Sequence, residues 1–518
     1  MVKNFIVFLI CILGIRFSNA QTTFQKTFGG ANDDGGTSIV QTTDGGYIIA
    51  GYTKSFGTGT TNLYLIKTDL NGNSTWNKTY DNLGSTKQTV MQTSDGGFIL
   101  SNYFSLIKTN SLGDTIWTKR YTVTGNNFFI NFVQQCSDGG YIATGQAYSS
   151  TSTSYEVALV KTDINGNLVW TKTYAGNQTD NGEAVQQTSD GGYIIGGSTY
   201  SFIPIHSDFY IIKTNNAGDT LWTKVYGGAG YDFLYSLKET NDGGYLAVGS
   251  YDETFIPTGT LTTDIYIIKT NSFGDTLWTR TYGGPGYQEG HFGEQTSDGG
   301  YIITGYTSSV SGGNQDVFLL KLDPNGNQVW SNKYGGTSLD NGNTVHQTND
   351  GGYIISGITG SFGSGNNDLF IIRADSIGNS FCNQNTATFN NNSAPTTIRN
   401  TTTIMSSGGV SIGTTLSIDS GIIEITLCFT IGIEENKNKN QINIYPNPFY
   451  SSATVEIEEF NTNKYDLCVF DLSGREVVKY EINSKKVEIQ MGSLSKGMYF
   501  YKVKDETKII SAGKLILQ

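Results

Sequence analysis

Charged residues, proline and histidine are scarce in this chain. Charged side chains make up only 15% of its 518 residues, and it contains 7 prolines and 3 histidines. Glycine (65), tyrosine (31) and phenylalanine (27) are by contrast abundant. Disordered chains have many charges and few aromatics, so this composition argues against disorder and favours β structure with many turns.

The histidines and serines form no known catalytic pattern. His206, His291 and His346 recur in no motif, and no serine stands in a Gly-x-Ser-x-Gly sequence. These absences argue against a histidine-dependent triad and against a metal site. We therefore expect neither a metal nor a cofactor.

Cysteine is also rare, and no two cysteines form the Cys-x-x-Cys pair that is typical of zinc sites. Cys136 takes the place of a threonine in a recurring segment, which indicates a packed residue. Cys382 and Cys428 flank one segment outside the repeats, so a disulfide between them is one hypothesis. Sequence leaves this pairing open, because connectivity cannot be read from spacing alone.

A long apolar run occurs only at the N-terminus. Lys3 precedes the apolar residues 5–15, and the small residues 18–20 follow them. This pattern predicts a secretory signal peptide over residues 1–20, because the run is too short for a membrane anchor. We expect no transmembrane segment in the mature chain.

Positive charge is missing from most of the chain. Residues 1–20 and residues 437–518 each carry a net charge of +2, so residues 21–436 carry −16 within an overall charge of −12. An acidic body repels phosphate backbones, which argues against nucleic acid as a partner.

One turn is present in seven copies. Asp-Gly-Gly followed by an aromatic residue begins at Asp44, Asp95, Asp138, Asp190, Asp242, Asp298 and Asp350. A tryptophan follows six of these turns, and Phe381 follows the seventh. Each unit reads as two β-hairpins, since β-prone runs flank both this turn and a later turn such as Asn-Ala-Gly-Asp. Repeats of about 50 residues that each form a four-stranded sheet indicate a β-propeller.

The N-terminal segment predicts how the ring closes. The sequence FQKTFGG at residues 24–30 matches the last strand of an internal unit, WTKVYGG at residues 222–228, while the seventh unit lacks that strand. We therefore predict an all-β fold whose residues 21–385 form a seven-bladed propeller closed by the N-terminal strand. The run KTDINGNLVW also resembles blades of the quinoprotein-like propellers, which implies the fold alone.

The loops after the second and fourth strands vary between units, and function is often carried by variable loops on a rigid scaffold. Their carboxylates Asp232, Glu289 and Glu294 would be the catalytic candidates if the protein were an enzyme. The predicted ligand-binding residues are Tyr231, Phe233, Phe255, Tyr287, His291 and Phe292. A plainer interpretation also stays open, in which the aromatics pack between blades and the acids are solvated.

Three functions remain open on this evidence. The preferred one is non-catalytic binding of a glycan or a protein through the loop face. The alternative is a polysaccharide-degrading, endoglucanase-like hydrolase that uses the loop carboxylates. A structural surface protein is the third.

The composition changes after the seventh unit. Residues 386–441 are rich in Asn, Thr and Ser and predict a connector with short strands. Residues 442–518 contain YPNP at 445–448, YDLCVFDLSGREVVK at 465–479 and the ending SAGKLILQ. Short alternating strands of this kind suit a small β-sandwich.

This last segment resembles the type A C-terminal sorting domain of the type IX secretion system of Bacteroidota. The resemblance implies a partner, the type IX machinery, and a protein that is secreted or attached to the outer face of the outer membrane. The positions that match the family pattern are Tyr445, Pro446, Asn447, Pro448, Gly497, Tyr499, Gly513 and Lys514.

Overall fold

Every described element of secondary structure is a β-strand in the computed structural model of the chain. The structure describes residues 21–58, 60–80, 87–202, 206–252, 262–308, 314–392, 397–401, 404–406, 411–413, 418–419, 423–431, 442–445, 451–457, 465–471, 476–490, 494–504 and 509–517. Within these ranges, no helix of the length and apolarity needed to cross a bilayer is found. The chain divides into two compact units, Thr22–Thr430 and a second that holds Ile431–Gln518.

The first unit is a ring of seven antiparallel blades of four main strands each, and the sheets of blades 2 and 3 are joined where Thr122 and Val123 pair with Asn127 and Asn126. Blade 1 contains β2–β5 and blades 2 to 6 follow in chain order, while blade 7 contains β26–β28 with β1 as its fourth strand. The strands are β1 (Thr22–Gly29), β2 (Asp34–Gln41), β3 (Tyr47–Thr53), β4 (Asn62–Thr68), β5 (Ser74–Tyr80), β6 (Thr89–Gln92), β7 (Phe98–Ser101), β8 (Ser105–Thr109), β9 (Thr115–Val123), β10 (Asn126–Gln135), β11 (Tyr141–Ser149), β12 (Ser154–Thr162), β13 (Leu168–Ala175), β14 (Asp180–Gln187), β15 (Tyr193–Thr199), β16 (Asp208–Thr214), β17 (Thr220–Gly227), β18 (Phe233–Glu239), β19 (Tyr245–Asp252), β20 (Thr263–Thr270), β21 (Thr276–Gly283), β22 (Gln288–Gln295), β23 (Tyr301–Thr307), β24 (Asp316–Leu322), β25 (Gln328–Tyr334), β26 (Asp340–Gln347), β27 (Tyr353–Thr359) and β28 (Asp368–Ala374).

Closure of the ring by the N-terminal strand is confirmed. The strand β1 pairs antiparallel with β28, with Phe24 opposite Arg373 and Phe28 opposite Leu369. Because the seventh unit has no fourth strand of its own, β1 covers an edge that would otherwise stay open. The predicted seven-bladed propeller is therefore the fold of this unit.

The repeated Asp-Gly-Gly sequence is a turn held by a buried cation. In blade 4, Asp190 Oδ1 accepts hydrogen bonds from the Thr188 hydroxyl (2.6 Å), the Gly192 N–H (2.9 Å) and the Lys213 ammonium (3.0 Å). Gly191 has a φ of +82°, a conformation that favours glycine. Burial raises the pKa of Asp190, but the bonds from Thr188 and Lys213 outweigh it and set the pKa at about 2. The other blades repeat this ion pair with a lysine, and blade 7 repeats it with an arginine.

A second repeated contact joins each blade to the next one. The first strand of every blade ends in Gln or Glu, whose side-chain oxygen accepts an N–H from the preceding blade's turn. The bond from Asn349 N–H to Gln41 Oε1 (3.0 Å) connects blade 7 to blade 1. The other six connect the remaining neighbours. Together they form a complete circle on the turn face, which is the face of the ring that carries the Asp-Gly-Gly turns.

Phe24, not Phe381, takes the tryptophan position in blade 7. The six tryptophans each lie against a turn glycine of the next blade, as Trp330 does against Gly378. Phe24 lies against Gly72 of blade 1 in the same way and is fully buried. Phe381 is 59% exposed. The expectation for Phe381 is wrong because β1 replaces the strand on which that residue would have stood.

The segment predicted as a connector adds a fifth strand to every blade. These short strands are β29 (Gln384–Thr386), β30 (Asn390–Asn392), β31 (Thr397–Asn400), β32 (Ile404–Ser406), β33 (Ser411–Gly413), β34 (Ile418–Asp419) and β35 (Ile423–Ile431). They pair in turn with the outer strands of blades 6, 5, 4, 3, 2, 1 and 7. The chain therefore encircles the propeller once, against the direction in which the blades were built. We call residues 384–431 the belt.

The belt is closed covalently. Cys382, which precedes its first strand, is bonded to Cys428 in its last strand, with a Cα–Cα distance of 6.3 Å and a sequence separation of 46 residues. The boundary placed at residue 385 thus lies inside the compact unit Thr22–Thr430. Six of the belt's seven strands have only two to four residues and pair through their backbone, so composition suggested a connector there.

The second unit contains two antiparallel sheets. One has the order β36 (Ile442–Tyr445), β37 (Ser452–Ile457), β40 (Lys486–Gln490). The other has the order β39 (Glu476–Ile482), β38 (Tyr465–Phe470), β41 (Gly497–Lys504), β42 (Ile509–Leu517). Their inner faces share one hydrophobic core that includes Val455, Leu467 and Leu515. This arrangement is the predicted β-sandwich.

Candidate functional site: the axial cavity

The first strand of six blades carries a β-bulge at the same position. Each bulge inserts one residue that has no partner on the second strand, and a bulge re-aims the side chain it carries. The inserted residues are Thr37, Asn131, Glu183, Tyr235, His291 and Asn343. All six line one cavity of about 290 Å³ on the axis of the ring. Blade 2 pairs without a shift and contributes Lys87 and Gln88 instead.

This position differs from the other repeated positions in its chemistry. The turn aspartate, the lysine that binds it and the outer tryptophan keep their residue type in nearly every blade, as expected of a scaffold. The bulge position instead carries Thr, Asn, Glu, Tyr, His and Asn in turn. Six repeats of one backbone thus present five different polar side chains to a shared cavity.

Glu289 is a carboxylate beside the cavity that contacts two of its lining residues. It accepts a hydrogen bond from the Tyr235 hydroxyl at 3.2 Å and lies 3.4 Å from His291 Nε2. His291 Nδ1 lies 3.0 Å from the Gly342 carbonyl, so both ring nitrogens face acceptors. Burial raises the pKa of Glu289, but the bonds from His291, Tyr306 and Tyr235 outweigh it and lower the pKa.

A second carboxylate lies at the exposed end of the cavity. Lys87 Nζ contacts both oxygens of Glu183, at 2.7 and 2.8 Å, although the two residues belong to blades 2 and 4. Asn181 also donates a hydrogen bond to Glu183. Lys87 stands just before the first strand of its blade, on the loop face, which lies opposite the turn face. The cavity is therefore reached from the side of the variable loops.

The floor of the cavity combines aromatic rings with a lysine. The ammonium of Lys238 lies 5.4 Å from the ring centre of Phe132 and 5.2 Å from that of Phe292. Next to it, Glu294 is 2.7 Å from His346 Nδ1 and accepts the Gln347 N–H at 2.8 Å. Burial raises the pKa of Glu294, whereas His346 lowers it more.

The carboxylates predicted from sequence lie in two different settings. Asp232 is fully buried and caps the loop before blade 5, where its Oδ2 accepts the Gly228 N–H at 2.8 Å. Asp34, Asp180 and Asp340 cap the corresponding loops of other blades. Asp232 is thus a recurring structural residue, while Glu289 and Glu294 lie beside the cavity.

The predicted aromatic residues are likewise divided. His291 and Phe292 line the cavity. Tyr231 and Tyr287 are exposed, at 44% and 43%, on the loops of blades 5 and 6. Phe233 is half-buried at the start of β18. Phe255 lies outside the described residues.

Sequence reasoning missed Lys87, Glu183, Lys238 and Asn343. A usable signal was present, because the bulge residue follows the capping Asp or Gln by three positions in blades 1, 4, 5, 6 and 7. An alignment of the repeats with one another would have shown that this position varies in residue type, whereas the turn aspartate and the tryptophan do not.

The sorting-motif residues lie on three strands of the second unit. Tyr445 ends β36, and its hydroxyl donates to Glu456 at 2.8 Å. Gly497 and Tyr499 stand on β41, and the Tyr499 hydroxyl donates to the Ser495 carbonyl at 2.7 Å. Gly513 and Lys514 stand on β42. Residues 446–448 lie outside the described residues.

Comparison with known proteins identifies the C-terminal unit. Residues 443–518 match the family described as "Secretion system C-terminal sorting domain". No curated protein sequence matches the chain.

Three solved structures of low similarity come from proteins with different roles: a secretion component, a WD40 domain and a glycoside-cleaving enzyme. PorZ, a surface component of the type-IX secretion system of Porphyromonas gingivalis, is 11% identical, with 95% of this chain and 60% of that chain covered and a TM-score of 0.36. The WD40 domain of Neurospora crassa Pan2 is 11% identical, with 67% and 91% covered and a TM-score of 0.41. An α-L-arabinanase of Penicillium chrysogenum is 10% identical, with 69% and 98% covered and a TM-score of 0.38.

The propeller is established by its strand order, and the sorting domain by its family match. The chain is a β-propeller protein that carries a type IX secretion C-terminal sorting domain and is secreted or attached to the outer membrane surface.

Proposed function

We propose that the propeller binds a carbohydrate, without catalysis, at the loop-face entrance of the axial cavity. The observation that carries this proposal is the β-bulge in the first strand of six blades. At this position the backbone is the same in each of these blades, but the polar side chain that lines the cavity differs, as in Glu183, Tyr235, His291 and Asn343. Selection for the fold alone would favour one residue type there, as it does at the turn aspartates.

The chemistry of the cavity suits a sugar. Saccharides expose hydroxyl groups, which need donors and acceptors, and C–H faces, which pack on aromatic rings. The cavity supplies carboxylate, amide, imidazole and phenol groups around a floor that contains Phe132 and Phe292. Its volume of about 290 Å³ lies near the lower end of the ~300–1,000 Å³ that is usual for small-molecule sites. Tyr231 and Tyr287 could extend the contact surface outside the cavity.

Hydrolysis has less support. A glycosidase needs one carboxyl group with a raised pKa as the proton donor. Beside the cavity, the pKa of both Glu289 and Glu294 is lowered by their histidine partners. Asp232 has a raised pKa, but its side chain is fully buried in a loop cap.

The test uses the purified full-length chain on a glycan array and in polysaccharide pull-downs, with reducing ends assayed in the same samples. We expect binding without release of sugar, and we expect Asn343→Ala or Tyr235→Phe to weaken it. The matched control is Phe273→Ala, which removes an aromatic residue that is 71% exposed on the turn face. Released sugar would replace the proposal with the hydrolase, and binding only to a protein would replace it with a protein partner.

A further inference from the structure

Lys238 occupies an unusual position on the floor of the axial cavity. It comes from blade 5, while Phe132 and Phe292 come from blades 3 and 6, which lie on opposite sides of the ring. The ammonium lies over both rings, 5.4 and 5.2 Å from their centres, with Phe292 on the neighbouring blade and Phe132 two blades away. Two such cation–π contacts hold an ammonium in place but satisfy none of its three N–H donors.

The other charged groups of the cavity have partners of their own. Glu183 is paired with Lys87, Glu289 with His291, and Glu294 with His346. Among the described residues, by contrast, no acceptor lies within hydrogen-bonding distance of the Lys238 ammonium. Desolvation lowers the pKa of Lys238, and the nearby charge of Glu294 offsets this only in part. Lys238 is half-buried and lines the cavity, so an anionic ligand there would form charge-assisted hydrogen bonds with its ammonium.

We infer that the ligand of this cavity is an acidic sugar, whose carboxylate pairs with Lys238 while its ring packs against Phe132 and Phe292. This inference rests on the proposed function and names its ligand class. A single negative charge matches the single unpaired cation.

The experiment compares two ligands that differ only in charge. Binding of a uronic-acid oligosaccharide and of its carboxyl-reduced, neutral counterpart to the full-length chain is measured by titration calorimetry. We expect the acidic form to bind tighter by about tenfold or more, because a charge-assisted hydrogen bond is roughly twice as strong as a neutral one. Lys238→Met keeps the length of the side chain and should abolish this preference.

Lys119→Met is the matched control. Lys119 also lies over an aromatic ring, 5.7 Å from that of Trp117, but on the outer rim of blade 2. The Lys119→Met variant should still bind the acidic sugar more tightly than the neutral one. Equal affinity of the wild-type protein for both sugars would overturn the acidic-ligand inference and leave carbohydrate binding in place. Absence of binding to either sugar would overturn the proposed function and this inference together. The comparison of the two sugars on the wild-type protein tests the acidic-ligand inference even if Lys238→Met fails to fold.

Discussion

Single residues in this repeat fall into two classes, which the position of each side chain distinguishes. Residues that hold the turn of each blade, such as Asp190 and Lys213, form the same kind of ion pair in every copy, with arginine in place of lysine in blade 7. Residues that face the axis, such as Tyr235 and His291, differ in type from blade to blade, and these two both contact Glu289. The acid Asp232 lies among the varied loops in sequence but belongs to the first class in structure. Its burial has a consequence for stability.

Asp232 should make the free energy of unfolding depend on pH. Burial raises its pKa, the Gly228 N–H lowers it, nearby Asp208 raises it further, and the result is about 8. The unfolded carboxyl has a pKa near 3.9. Between these values the folded state binds the extra proton, so the free energy of unfolding falls by up to about 1.4 kcal/mol per pH unit as pH rises.

Asp232→Asn removes this titration. We expect the stability of the variant, relative to wild type, to increase steadily from about pH 5 to about pH 8. Urea unfolding of both proteins across that range measures the difference. Parallel stability curves would contradict the assignment of a raised pKa to this residue.

Among the strands, the belt is the least expected feature. Six of the seven belt strands have only two to four residues, too few to be stable alone, and every belt strand pairs with the outer edge of a blade. Side chains fix its last strand more firmly than backbone bonds alone would. Glu424 accepts hydrogen bonds from Lys26 on β1 (2.7 Å) and from the Ser74 N–H of blade 1 (3.0 Å). It thus connects the belt to both sides of the ring closure.

Glu424→Ala should destabilise the propeller strongly. The Lys26 side chain is only 1% exposed, and among the described residues the substitution leaves its ammonium with the Asn73 side-chain oxygen of blade 1 as its hydrogen-bond acceptor. Breaking a buried ion pair on one side costs about 3–5 kcal/mol. Because Glu424 is itself partly exposed, we expect a loss of about 2–3 kcal/mol in urea unfolding.

The surface pair Lys54–Asp33 is a suitable control, because its length of 2.9 Å is similar but its lysine is 45% exposed. Asp33→Ala should cost no more than about 1 kcal/mol. Similar losses in the two variants would show that the belt contact contributes no more than an ordinary surface pair.

At the scale of the whole propeller unit, two circles surround the axis. The inner one is the set of seven hydrogen bonds between neighbouring blades on the turn face. The outer one is the belt, which the Cys382–Cys428 bond closes into a covalent loop. Separation of any two blades must break bonds in both circles. A protein built in this way is suited to conditions outside the cell, where disulfides persist.

Reduction of the disulfide should loosen the belt while the blades stay folded. A cross-link of this span contributes about 2–4 kcal/mol, mainly by restricting the unfolded chain. We expect Cys382→Ser/Cys428→Ser to unfold at lower urea concentration and to be cut by protease within residues 384–431 first. Reducing agent should reproduce both effects in the wild-type protein and change nothing in the double variant. Equal protease resistance in both redox states would show that the belt is held without the bond.

Sequence by itself determined the repeated architecture of this protein. The Asp-Gly-Gly turns, the tryptophans and the N-terminal FQKTFGG match are local or periodic signals, and each reflects a residue's own conformational preference or a repeated contact. The family motifs of residues 442–518 likewise determined the export route. Tertiary structure alone decided the cavity and the belt. The cavity is assembled from side chains that are some 50 residues apart in sequence, and only the bulges aim them at one point. The belt pairs through backbone groups, which every residue type possesses, so its side chains carried no signal of where it would lie.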